Sequence, residues 1–394
     1  MAATNEGSVG RSTVPGGPYR VMVVDDSVVV RGFVRRWLEE DPDIKVIAAV
    51  GNGALAVKEV EKNPPEVIVL DIEMPEMDGL TALPLLVKAV PDVKVVMSST
   101  LTLRNAEISL EALAKGAADY VAKPTTSKDM QGSDGFRNEL REKVKVHGAA
   151  RRRAGRLPAP LAQPGTAPPL ARPTTLATAK GLQPTSLYAG EEVKLRPAAL
   201  FRPDVLAIGS STGGPQALFA VFGALKTQVN IPVLITQHMP PTFTAILAEH
   251  IKRASGANVA EAKDGEPIVP GRVYVAPGDY HMLAVNEGGR RIIRLNQEKP
   301  ENFCRPAVDP MFRSIAAAYG SKVLGVVLTG MGSDGFRGGQ VLVNAGGVVI
   351  AQDEATSVVW GMPGAAATGG ICSAVLPIDQ IAPTILRVVG GGPL

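Results

Sequence analysis

Asp25, Asp26, Asp71, Lys123 and Ser211 each stand directly after a short apolar run, and these are the groups best placed for chemistry. Carboxylates gathered in one place repel one another unless a hard divalent cation neutralises them, and magnesium is the natural occupant of such an all-oxygen site. A Mg2+ ion held by Asp26, Asp71 and a main-chain carbonyl near Glu73 would leave one Asp71 oxygen free to attack phosphorus. Lys123 and Ser99 would then grip the phosphoryl oxygens. Any one of these aspartates could merely cap a helix, since each borders a helical pattern. Capping does not explain reactive groups at four separate strand ends.

The second cluster is the turn Gly209-Ser210-Ser211-Thr212-Gly213, which fits the GxSxG form of a nucleophile turn. Small residues let a strand bend sharply into a helix, and free main-chain N–H groups at the helix start can stabilise an oxyanion. Such a turn can also cradle phosphate. It carries neither GxGxxG nor the Lys-Ser/Thr pair of a P-loop. A serine nucleophile needs a base, and the chain has four histidines. His147 sits at the edge of a basic tract, His250 lies in a helical stretch with a surface role, and His281 is near a hairpin pattern. Only His238 follows a strand as Ser211 does, although a buried, hydrogen-bonded histidine is the plainer alternative. Asp334 has the same placement, with Gly330, Gly332 and Gly335 letting backbone approach it; Asp309, Asp353 and Asp279 are less well supported. The chain order Ser, His, Asp differs from those of α/β-hydrolases, chymotrypsin-like and subtilisin-like enzymes, so a separate fold is expected.

The elements that must carry these groups alternate along the chain. Strand-like runs at Arg20–Val24, Lys45–Val50, Val67–Leu70, Lys94–Met97 and Asp119–Ala122 are separated by helical patterns near Val29–Glu40, Gly53–Asn63, Gly79–Val90, Arg104–Lys115 and Ser133–Val146. That alternation predicts a doubly wound parallel sheet, in which ligands bind beyond the carboxyl ends of the strands. A second α/β pattern runs through Val205–Ile208, Val233–Thr236, Val273–Ala276, Lys322–Leu328 and Val348–Ala351, with a hairpin around His281–Leu295. The fold class is therefore α/β, two doubly wound parallel-sheet domains.

Composition sets the frame. At 394 residues, 45% hydrophobic and 20% charged, the chain is long enough for two domains with real cores. The expected division is a disordered N-terminus over 1–17, a first domain over 18–147, a Pro/Arg-rich linker over 148–203 and a second domain over 204–390. Residues 137–202 hold 13 Lys+Arg and 4 Asp+Glu, so a net charge of +3 conceals −6 outside this window. The tract has few aromatics and no recognition-helix pattern, so a solvated connector is expected and nucleic-acid binding is not. Cys304 and Cys372 lack CxxC spacing and read as reduced, packed thiols. No leader pattern and no apolar run of membrane-spanning length is found, giving the expectation of a cytoplasmic protein without membrane insertion.

DDS at Asp25–Ser27, LDIEMPEMDG at Leu70–Gly79, SST at Ser98–Thr100 and AKP from Ala122 resemble the receiver domain of bacterial response regulators, which is flavodoxin-like. The resemblance implies that Asp71 accepts a phosphoryl group from a histidine kinase, that Asp25 and Asp26 serve magnesium, and that Ser99 and Tyr120 relay the switch. IGSSTGGP, ITQHMP, VAPGDYHM and LTGMGSDG are similar to the protein-glutamate methylesterase of bacterial chemotaxis. That similarity implies Ser211 as nucleophile, His238 as general base and acid, Asp334 as its orienting partner, and Thr212 with the Met331 N–H as oxyanion donors. His281 and the Cys304–Asp309 loop are expected to line the substrate groove. The implied substrate is a glutamate γ-methyl ester, or a glutamine amide, on the cytoplasmic helices of a chemoreceptor, with no cofactor for the ester chemistry. A response regulator whose output domain only binds a partner is the competing reading. A transcription regulator would need a helix-turn-helix, which the strand-rich second half does not supply.

Overall fold

The computed structural model describes residues 12, 14–100, 102–123, 134–154, 188, 191–197 and 201–394. The first domain runs β1 (Tyr19–Val24), α1 (Val28–Glu39), β2 (Ile44–Val50), α2 (Gly53–Lys62), β3 (Val67–Asp71), α3 (Gly79–Ala89), β4 (Lys94–Thr100), α4 (Leu103–Ala114), β5 (Asp119–Lys123) and α5 (Asp134–Ala154). Its five strands are parallel in the order β2-β1-β3-β4-β5. The central β3, Val-Ile-Val-Leu-Asp, is buried throughout because helices cover both faces. Ser27, Asn52, Asp78 and Thr102 cap α1 to α4, each side chain accepting a main-chain N–H of the first turn. The caps are thus supplied by other residues, which releases Asp25, Asp26 and Asp71 from that role.

The second domain contains β6 (Val205–Ser210), α6 (Gly214–Leu225), β7 (Val233–Gln237), α7 (Phe243–Ser255), β8 (Asn258–Glu261), β9 (Arg272–Val275), the hairpin β10 (His281–Glu287) and β11 (Arg290–Asn296), α8 (Val308–Tyr319), β12 (Val323–Val327), α9 (Phe336–Asn344), β13 (Val348–Gln352), α10 (Met362–Thr368), β14 (Ala374–Leu376) and α11 (Ile378–Val389). Seven parallel strands lie in the order β14-β13-β12-β6-β7-β9-β8. From β6 the chain moves outward to β7 and the edge strand β8, inserts β9 between them, then returns to add β12, β13 and β14 on the other side. The crevice at that reversal opens at the carboxyl ends of β6 and β12. Two edge strands exceed the sequence expectation: β8 has four residues and β14 three, neither with a sustained apolar run.

The linker expectation needs correction at its start. Helix α5 continues to Ala154, so Arg151–Arg153 form its last turn. Arg152 pairs with Glu66, donates to the carbonyls of Pro15, Gly17 and Pro18, and lies over the Tyr19 ring. These partners fold a basic tract that composition alone assigns to a solvated connector. His147 is likewise not at a linker edge; it is fully buried, with Nε2 3.1 Å from Asp119.

The two domains touch. The Tyr120 ring stacks on Phe243 with centroids 4.7 Å apart, and Gln216 Nε2 donates to the carbonyls of Ala117 and Ala118 at 3.0 Å each. Arg153 donates to the Val358 carbonyl at 2.9 Å. No helix among the described residues is long and apolar enough to cross a membrane.

Gly79 opens α3 with its Cα pressed against the Asp71 carbonyl, leaving no space for a Cβ. Gly79→Ala is expected to destabilise the first domain by about 2–3 kcal/mol. Gly32→Ala, in α1 with open space around it, should stabilise by about 0.5–1 kcal/mol. Urea denaturation of the two full-length variants checks the opposite signs.

Candidate active site

At the carboxyl end of the first sheet, β1, β3 and β5 bring Asp25, Asp71 and Lys123 together. Lys123 Nζ lies 2.7 Å from both Asp25 Oδ2 and Asp71 Oδ1. Burial pushes the Asp71 carboxyl up; the Lys123 charge opposes this and the Asp25 charge adds to it, for a value of about 6. Carboxylate oxygens of Asp25, Asp26 and Asp71 all lie within 4.8 Å of one another. Hard oxygen donors in this number suit a small divalent cation. Glu73 stands in the exposed loop two residues beyond β3. The Ser99 hydroxyl is buried and engaged with Ser109 of α4 at 2.9 Å, while Ser98 Oγ, beside Asp71 in register, has no partner among the described residues.

In the second domain, register decides which groups meet. Ser210 pairs with Gln237 across β6 and β7, so Ser211 and His238 are the next residues on neighbouring parallel strands. The His238 N–H donates to the Ser210 carbonyl at 3.1 Å, and Gln237 Nε2 donates to the Ser211 carbonyl at 2.9 Å. Gly213 takes φ 76° at the start of α6, where a Cβ would come within 2.6 Å of Val358. From β12, the Gly330–Gly332 loop reaches the same place: a Cβ at Gly330 would lie 2.8 Å from the Ser211 Cβ. The N–H groups of Thr212 and Met331 have no hydrogen-bond partner among the described residues. They are available to a developing oxyanion.

His238 Nε2 donates to Asp334 Oδ2 at 2.7 Å. Asp334 is 1% exposed and also accepts from the main-chain N–H groups of Val308, Asp309 and Gly335 and from Asn302 Nδ2. Burial works against its ionisation, but the His238 bond and charge and these N–H donors hold its carboxyl below the usual range. Asp309 is buried beside it, accepting from Gly335, Gly338 and Asn302, and burial and the Asp334 charge push its pKa up.

The other nitrogen of His238 is occupied as well. Nδ1 lies 3.3 Å from Cys304 Sγ, and Ser211 Oγ has no hydrogen-bond partner among the described residues. Burial alone would lower the His238 pKa; the bonds to Asp334 and Cys304 and their charges outweigh it and raise the value to about 10. His281 is a correction. It is 2% exposed, its Nδ1 accepting from the Ala307 N–H and its Nε2 donating to the Lys299 carbonyl. It braces the 299–307 segment and does not line the groove. Sequence reasoning also missed Asn302, treated Cys304 only as part of a loop, and held Asp309 as a less well supported orienting acid. Only the Cys304–Asp309 stretch was flagged, by its similarity.

A family model described as CheB methylesterase matches residues 206–385, and one described as response regulator receiver domain matches residues 21–133. The protein-glutamate methylesterase/protein-glutamine glutaminase 1 of Rhodospirillum rubrum is 57% identical over 94% of this chain and 95% of its own length. The chain belongs to this family. A group 2 operon relative of the same description from Rhodospirillum centenum is 56% identical over 97% of this chain and 98% of its own. The methylesterase catalytic domain of Thermotoga maritima CheB is 40% identical, covering 48% of this chain and all of that one, with a TM-score of 0.47. The chain is thus a hydrolase of the family with a receiver domain in front.

A neutral His238 is needed to accept a proton from serine, so activity should rise with pH as the imidazolium deprotonates. Cys304→Ala removes one cause of the raised pKa and frees Nδ1. The acid limb of the kcat/KM profile is expected to move to lower pH, with activity on that limb gaining about tenfold for each pH unit of movement. A pH–rate profile on a small ester measures it.

Proposed function

We propose that the chain hydrolyses glutamate γ-methyl esters, and deamidates glutamines, on the cytoplasmic helices of chemoreceptors during chemotactic adaptation, with Ser211, His238 and Asp334 as the catalytic triad. The observation that carries this reading is the 2.7 Å His238–Asp334 pair on the strand next to Ser211. Ser211 Oγ attacks the ester carbonyl while His238 takes its proton; Thr212 and Met331 N–H groups receive the oxyanion. Collapse expels methoxide, protonated by His238 as methanol. Water, deprotonated by His238, then attacks the acyl-enzyme and releases glutamate with the proton returned to Ser211 Oγ. For a glutamine the leaving group is ammonia.

The receiver is the proposed control. Asp71 takes a phosphoryl group from a histidine kinase, and Lys123 stands within reach of its oxygens. Asp25, Asp26 and Asp71, with a main-chain carbonyl near Glu73, would hold Mg2+, which when bound neutralises this carboxylate cluster and the incoming phosphoryl oxygens. Ser99 and Tyr120 pass the change to the domain face, and the unphosphorylated receiver restrains access to the Ser211 groove. The Tyr120–Phe243 stack supports this, because Phe243 opens α7 only five residues after His238. A cytoplasmic location follows from the proposed substrate.

Methanol release from methylated receptor membranes tests the whole reading. Release should rise with a phosphodonor, fall by about a thousandfold or more in Ser211→Ala, and lose its phosphodonor response in Asp71→Asn. Undiminished release by Ser211→Ala would overturn the triad assignment, and no release by the unaltered protein would leave the second domain as a partner-binding module. Gln216→Ala, which deletes two interdomain hydrogen bonds, should raise basal release several-fold; an unchanged basal rate would count against restraint through this interface.

A further inference from the structure

The turn Glu301–Cys304 holds an aromatic ring in water beside the catalytic residues. Phe303 is 102% exposed, the extreme among the exposed large apolar side chains of the described residues. The turn is closed by reciprocal main-chain bonds between Glu301 and Cys304, at 3.1 and 2.8 Å. Its two central residues, Asn302 and Phe303, have φ of 50° and 63°. Asparagine tolerates the left-handed region; a bulky aromatic there is an outlier, at a position where glycine is the ordinary choice. Phe303 therefore satisfies neither the backbone nor the hydrophobic effect in the isolated protein. Such strain persists only where the surroundings over-determine it, and it concentrates at ligand-contacting sites.

The surroundings here are the catalytic groups. Asn302 Nδ2 donates to Asp334 at 2.8 Å and to Asp309 at 3.1 Å, and Cys304 Sγ lies 3.3 Å from His238 Nδ1. Arg313 pairs with Glu301 at the base of the turn. The ring is thus flanked on both sides by residues bonded to Asp334 and His238, and His238 stands on the strand next to Ser211. A glutamyl side chain offers no apolar surface large enough to cover a phenyl ring. The polypeptide on either side of that glutamate does.

We infer that Phe303 is a specificity-determining residue that docks the apolar face of the substrate polypeptide next to the modified glutamate, discriminating protein substrates from free small esters. The inference rests on the esterase reading above and extends it to the substrate class. Aromatic anchors set in rigid loops dominate many protein interfaces, and burying one ring is worth about tenfold or more in affinity.

The experiment compares two substrates of the full-length chain: a methylated cytoplasmic fragment of a chemoreceptor, and N-acetyl-glutamate γ-methyl ester. Phe303→Ala should raise KM for the fragment about tenfold and leave kcat/KM for the small ester unchanged, with Phe303→Leu recovering part of the loss. Equal losses on both substrates would overturn docking, because the turn would then be supporting Asp334 and His238; no change on either would overturn it as well. If the unaltered protein releases methanol from neither substrate, the esterase reading fails first and the inference with it.

Discussion

The Asp334 carboxylate is the charge around which the hydrolase site is organised. A buried ion is costly unless each oxygen is matched by donors. Here the donors come from separate segments: His238 after β7, Asn302 in its turn, Val308 and Asp309 in the first turn of α8, and Gly335 at the start of α9. Two helices aim their N-terminal N–H groups, and the positive ends of their dipoles, at one carboxylate. Removing any one segment would weaken the compensation of a charge buried in the interior. The position of His238 is therefore tied to the packing of both helices against the sheet.

The same arrangement sets what the site can do at rest. Asp334 fixes His238 as an Nε2–H donor, which leaves Nδ1 as the acceptor for a serine proton. That acceptor faces the Cys304 thiol, and Ser211 Oγ has no hydrogen-bond partner among the described residues. The receiver reaches this region through the start of β5 and the last turn of α5: Tyr120 stacks on Phe243, and Arg153 reaches Val358, whose side chain packs against Gly213 of the serine turn. The contacts between the domains thus fall on the stretches of chain that follow the base and the nucleophile.

Much of the fold was legible because its strands are buried on both faces and read as continuous apolar runs. The five strands of the first domain match their expected positions to within three residues, and the five strands expected in the second match to within two. β8 and β14 were not legible, since three or four residues on a sheet edge form by pairing with a neighbour and carry no periodicity of their own. The last turn of α5 was not legible either, because Arg152 is helical through partners from the β1 entrance and Glu66, far away in sequence. His281 was misread for a similar reason: a histidine beside a hairpin pattern looks exposed, but its two nitrogens are satisfied by main chain from a distant loop.

What the sequence by itself determined is the set of reactive groups and the end of the sheet on which they lie. A polar residue after an apolar run falls at the carboxyl end of a parallel strand, whatever the strand order. Only the tertiary structure decided which of these ends are neighbours. Placing β12 beside β6 brings Asp334 to His238 across 96 residues of chain, and the register of β6 with β7 sets Ser211 next to that histidine. The thiol on Nδ1, the bridging Asn302 and the outward Phe303 were likewise decided there. Each depends on a hydrogen-bond partner or a backbone conformation imposed by packing between distant segments, and a local pattern of residues carries no record of either.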